Sequence, residues 1–262
     1  MGPCCAFVPW ALLTVWAAPA GGQWPPPARG PSALEASAQI PLACPAGARG
    51  EPRCRDRSAL GRLAFECHRR TSLMLAPLVG AVPLTAAALA HEPLLIWQGV
   101  GAEAPLAPVE AAALGQWLLG GGMLLVDGAE AEGSPSRAAF VRTAEAGLVA
   151  ALGPTSLAPI PADDVLFRSF YLMTPGAPAL VRPLAARGLR IGGRLAVVLS
   201  EQPWLAAMAT DASGTPLAPE AAPEPEREGR VRMAINWLMY ALCLDYKNDQ
   251  VHLPYLLERR GH

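Results

Sequence analysis

PLAPVEAAALGQWLLGGGMLLVD, residues 105–127, sets the fold. Pro108 is tolerated in a first helical turn, and Val109, Leu114, Trp117 and Leu118 are available to a buried side, so the spacing predicts a helix from Pro105 to Leu119. Gly120-Gly121-Gly122 ends it, because glycine takes the left-handed C-cap conformation that side chains resist. Met123 to Asp127 follows as a short, continuous apolar strand, the pattern of a sheet covered on both faces. Upstream, Pro93-Leu94-Leu95-Ile96-Trp97 has the same character. If the two strands are parallel neighbours, the helix between them is a right-handed crossover and the fold is α/β.

Working outward, Leu63 to Cys67 has strand-like content, and a short helix is expected around Thr85 to Ala90. A further helix fits Ser136 to Leu152, and Ser156 to Ile160 is a weak edge strand that can carry Pro159. Asp163-Asp164 caps a helical turn. Leu189 to Leu199 holds two apolar runs about Gly192-Gly193, a hairpin signal. Asp211 to Arg227 is a Pro/Glu/Ala-rich surface loop. The last helix, about Glu228 to Leu244, places Val231, Ile235, Leu238 and Leu242 on one face, and Asn236 within it is suited to bonding a neighbouring loop.

At the amino end, the apolar run Ala6 to Ala18 is followed by Ala18-Pro19-Ala20, a small-x-small site, so residues 1–20 are expected to be an export signal, although no Lys or Arg precedes the run. A retained membrane anchor is the rival. Residues 21–60, rich in Pro, Gly and Ala, are expected to be a poorly ordered leader, and 61–262 a single α/β domain with a C-terminal helix and tail. With 21 basic and 22 acidic residues, the net charge of -1 gives no electrostatic reason to propose nucleic acid or an anionic membrane as partner. A hydrophobic content of 52% against 16% charged excludes a wholly disordered chain. Cys44 and Cys54 bracket CPAGARGEPRC and would staple it as a disulfide in an oxidising compartment; spacing does not fix connectivity, so two free thiols are the alternative. No C-x-x-C occurs and Cys67 and His68 would face opposite ways on a strand, so neither a metal site nor a Cys-His dyad is expected.

The blocks PADDVLFRSFYLM, GLRIGGRLAVVLS and RMAINWLMYALCLDYKNDQVHLPYLLERRG, in that order, resemble the bacterial family called domain of unknown function 4159, and the segment Leu114 to Asp127 fits the same family. The resemblance implies a flavodoxin-like, amidotransferase-like fold: an open, mostly parallel sheet with helices on both faces. It implies fold more than chemistry, because function lives in sites.

Amidotransferase chemistry needs a nucleophile on a strand-to-helix elbow with a histidine nearby. Asp127-Gly128-Ala129 stands at the best candidate elbow, and neither G-x-S-x-G nor G-x-C-x-G occurs. Asp127 ends a predicted parallel strand, where open α/β sheets place ligand crevices, and Ser200 and Glu201 end another. All three are candidate ligand-binding residues, with Asp127 otherwise a cap on the next turn. The tail residues Asp245, Tyr246, Lys247, Asp249 and His252 are candidates for contact with a partner, or for an arm packed on its own domain. The expectation is an exported, periplasmic, non-catalytic binding or assembly module of the cell envelope, without a cofactor and with an envelope protein as possible partner. The alternative is a periplasmic hydrolase with a polar crevice around Asp127.

Overall fold

The computed structural model describes residues 40–47, 49–54, 57–128, 133–173, 186–200, 203–205, 208–211 and 227–242. Its centre is the unit that the sequence singles out. Strands β3 (Leu94–Gly99) and β4 (Met123–Gly128) are buried along their whole length and run parallel, paired from Leu94↔Met123 to Gly99↔Gly128. The intervening helix Pro108–Leu119 starts with its proline at the first turn and with the Glu110 carboxylate accepting from the Ala107 N–H at 2.8 Å. Ala111, Leu114, Trp117 and Leu118 are buried, whereas Val109 is 72% exposed. Nine residues separate Val109 from Leu118, which places it about half a turn around the helix from the buried stripe. After the helix, Gly121 takes φ +121°, and a side chain at Gly122 would collide with the Trp117 indole.

The expected leader ends before residue 60. Ile40–Pro45 is a strand, β1, inside the sheet, parallel to β2 (Leu75–Val82) on one side and to β3 on the other. Its register shifts between Pro41 and Leu42, where the proline has no N–H to give the ladder. Composition averaged over a Pro/Gly-rich stretch hides this run, because only six residues are needed for a strand. Residues 63–67 are also not a strand: they lie in helix α1 (Arg57–Arg70). The buried positions Ala59, Leu60, Leu63, Ala64 and Cys67 recur at helical spacing, a period invisible in a five-residue window.

Helix α2 (Ala86–Leu89) is capped by Thr85, and the crossover helix Pro108–Leu119 is α3. Helix α4 (Pro135–Leu152) is capped by Ser134. Strand β5 (Ala158–Pro159) is a two-residue edge, followed by a 3-10 turn, Val165–Arg168, whose Leu166 N–H is held by Asp164 at 2.9 Å. Strands β6 (Ala186–Ile191) and β7 (Arg194–Ser200) form the expected antiparallel hairpin, with Gly192 and Gly193 at φ +59° and +85°. Residues 227–242 form the last described helix, α5.

The sheet order is β2-β1-β3-β4-β7-β6-β5, parallel from β2 to β7 and antiparallel beyond. This is an open, mostly parallel α/β sheet consistent with a flavodoxin-like fold, extended at one edge by a hairpin. Alternate strand residues feed two cores. Leu42, Ile96, Leu125 and Val198 pack with α1 and α5, and Leu95, Trp97, Leu124 and Val126 pack with α3 and α4. The chain leaves β1 towards β2 and returns across it to β3. The carboxyl ends of β1 and β3 therefore flank the point where the winding reverses, the usual place for a ligand crevice in such sheets.

Candidate functional site at the carboxyl ends of the strands

Asp127, near the end of β4, is fully buried. The backbone N–H groups of Trp204 and Leu205 donate to its two carboxylate oxygens at 3.3 and 3.4 Å, and the Gln98 amide, directly opposite on β3, donates at 3.4 Å. Burial pushes its carboxyl up to about 7, against the opposing pull of Arg137 and of the Leu205, Trp204 and Gln98 donors. Arg137, in the first turn of α4, ties two strand ends together: one Nη donates to the Gly128 carbonyl at 2.7 Å and the other to the Ser200 carbonyl. Asp127 thus organises the turn at 203–205, whose Trp204 and Leu205 are themselves buried. It lines none of the described clefts.

Ser200 is buried at the end of β7, and its carbonyl receives Arg137. Glu201 lies outside the described residues, as do Asp245, Tyr246, Lys247, Asp249 and His252. Cys44 and Cys54 are joined as a disulfide, with their Cα atoms 5.9 Å apart. Cys67 and His68 are neighbours on a helix rather than on a strand. Cys67 is buried beside the Thr71 hydroxyl, while His68 is exposed with Nδ1 2.9 Å from the Met74 sulfur. The Cys67 sulfur and the His68 ring thus meet different partners. Among the described residues no group of three or more His, Cys, Asp or Glu side chains is gathered as a metal site requires. No helix of the described residues is long and apolar enough to cross a membrane.

Asn236 of α5 is fully buried and clamps the segment after the 3-10 turn. Its Oδ1 accepts from the N–H groups of Phe170 and Tyr171 at 3.0 and 2.7 Å, and its Nδ2 donates to the Tyr171 carbonyl at 2.8 Å. Its role is architectural.

Sequence reasoning missed the residues that line the reversal point. The disulfide folds the 46–53 loop back, with Ala46 bridged to Pro52, so that Arg53 lies against the end of β3. A cleft of ≈340 Å³ opens there, lined by Glu51, Arg53, Gln98, Gly99, Glu103 and Ala104 among others. The Arg53 guanidinium, with its side chain only 7% exposed, meets the Glu103 carboxylate at 2.9 Å and donates to the Ala46 and Ala104 carbonyls. Glu103 Oε2 also accepts from the Trp97 indole N–H at 3.0 Å. A larger cleft, ≈490 Å³, sits at the opposite end of β3 and β4 beside Trp117 and Glu92. The legible signal for the smaller one was the charge content of CPAGARGEPRC, but its place in space depends on β1, which was not expected.

The family model described as Domain of unknown function (DUF4159) matches residues 49–242, well over half of the chain. The chain belongs to this family. DUF4159 membership covers every described element from α1 onward, while β1 precedes the matched segment. No curated protein matches the chain.

Proposed function

We propose that this DUF4159 chain is an exported, non-catalytic binding or assembly module of the bacterial cell envelope. The observation that carries the proposal is the state of Asp127. The acidic group best placed for chemistry has both oxygens engaged by the protein and is fully buried. A general base must reach the proton it abstracts, and a sealed carboxylate does not. The disulfide supports export, since such bonds persist in oxidising compartments and are rare in the reducing cytosol. The absence of a Ser or Cys at the 127–129 elbow supports a role other than acyl transfer.

Two measurements test the proposal. The chain expressed in a bacterium should fractionate with the periplasm, with Cys44 and Cys54 resistant to alkylation and the mature amino terminus at Gly21; a cytosolic, reduced chain would overturn the export half. Turnover of generic ester, phosphoester or glycoside substrates, abolished by Asp127→Asn in a protein of unchanged fold, would overturn the non-catalytic half.

A further inference from the structure

The ion pair at the reversal point is incomplete in a particular way. Arg and Glu commonly pair through two parallel hydrogen bonds. Here Arg53 Nη1 and Glu103 Oε2 make the one contact, and Oε2 is shared with Trp97. Among the described residues neither Arg53 Nη2 nor Glu103 Oε1 has a hydrogen-bond partner. A strong donor and a strong acceptor are thus left on two residues that line one cleft. Gly99 is required for this arrangement, because a Cβ there would stand 2.3 Å from Glu103 Oε1 and 2.2 Å from the Phe140 ring. Glu51, which also lines the cleft, adds a second carboxylate. Its Oε2 accepts from the Arg49 N–H at 3.0 Å.

We infer that this cleft binds a small zwitterion, an α-amino acid or a peptide terminus carrying ammonium and carboxylate close together, through Arg53 and Glu103. The carboxylate takes the Arg53 Nη2 donor. The ammonium takes Glu103 Oε1, with Glu51 adding to the negative field. A lone anion would meet two carboxylates in the cleft, and a lone cation would meet the guanidinium; a ligand with both charges avoids both conflicts. The cleft's size is at the lower end for small-molecule sites, in keeping with a ligand of one or two residues. The disulfide and the Ala46–Pro52 bridge hold the Arg53 side in place before any ligand arrives, which lowers the ordering cost of binding.

The inference rests on the binding reading above, and the test separates the two. Calorimetry on the full, disulfide-intact chain is run with glycine, L-alanine and D-alanine, and with acetate and ethylamine as single-charge controls. At least one zwitterion should bind, with acetate and ethylamine at least about tenfold weaker because each meets only half of the pair. Ala104→Trp, on an exposed residue at the cleft, should abolish binding with the melting temperature unchanged, and Glu51→Gln, also exposed, should weaken it several-fold. No binding by any of the three, equal binding of a control, or unchanged binding in both folded variants would overturn the site and leave the non-catalytic reading standing. Consumption of a bound compound, followed by proton NMR, would overturn the non-catalytic reading while the site stands.

Discussion

Both oxygens of Asp127 accept hydrogen bonds within the protein, yet its carboxyl titrates near 7 because burial outweighs those bonds. The unfolded chain releases this proton near 3.8 and the folded chain near 7, so the folded state holds the extra proton between those values. Stability therefore falls as pH rises through that window, by about 4 kcal/mol in all, and is flat above it. Asp127→Asn removes the titration. In urea denaturation series the variant should gain on the wild type by about 4 kcal/mol between pH 4 and pH 8. An offset that stays constant over that range would show that the carboxyl titrates normally. Asn236 makes the complementary case, with a neutral amide satisfying two N–H groups and one carbonyl of the 170–171 segment. Asn236→Ala should cost about 2 to 4 kcal/mol by the same measurement, since buried backbone groups lose their partners. A loss below about 0.5 kcal/mol would mean that the segment finds other partners. The helical position of Asn236 and the strand-end position of Asp127 were both legible; which groups they touch was not, because the hydrogen-bond partners lie 29 to 78 residues away.

Between elements, α1 and α5 are joined by charge as well as by apolar packing. Glu66 is buried yet held below the usual carboxylate range: desolvation pushes it up, and hydrogen bonds from Arg69 and Arg70 with the nearby Arg62 more than offset this. Arg70 continues to Glu228 of α5 through a two-bond fork at 2.6 and 2.9 Å, and Glu228 is likewise held low by Arg70 and Arg232. Depressed carboxyl groups stabilise the fold above their unfolded value of 4.5, and the contribution is lost as pH falls through the folded values. Arg70→Ala should then cost about 2 kcal/mol at pH 7 and clearly less near pH 3, and a cost independent of pH would assign the loss to packing. The Cys44–Cys54 bridge belongs to the same scale, closing a loop across a sequence separation of 10 residues. Adding reductant should lower stability by about 2 to 3 kcal/mol, and an unchanged urea midpoint would show that the bridge does not constrain the unfolded chain.

For the whole molecule the decisive strand is β1, which sits between β2 and β3 although the sequence around it reads as a leader. Contact density divides the chain after Ser37. Removal of residues 1–37 should leave the melting curve of the rest unchanged, whereas removal of residues 1–56 deletes a strand from inside the sheet and should abolish cooperative unfolding in circular dichroism. A cooperative melt of the shorter chain would show that β2 can pair with β3 directly. The parallel pair around α3, the glycine stop at 120–122, the β6–β7 hairpin and α5 follow from local period and turn chemistry, because strands covered on both faces and helices with one buried stripe write those patterns into consecutive residues. Sequence alone therefore determined the α/β class, the lack of a nucleophile at the elbow and the position of Asp127 at a strand end. Only the tertiary structure decided that β1 enters the sheet, that residues 63–67 are helical, that Asp127 is sealed by a distant turn and that Arg53 and Glu103, 50 residues apart, meet beside a cleft. Each of these depends on which elements become neighbours, and burial, ion pairing and desolvation act through space rather than along the chain.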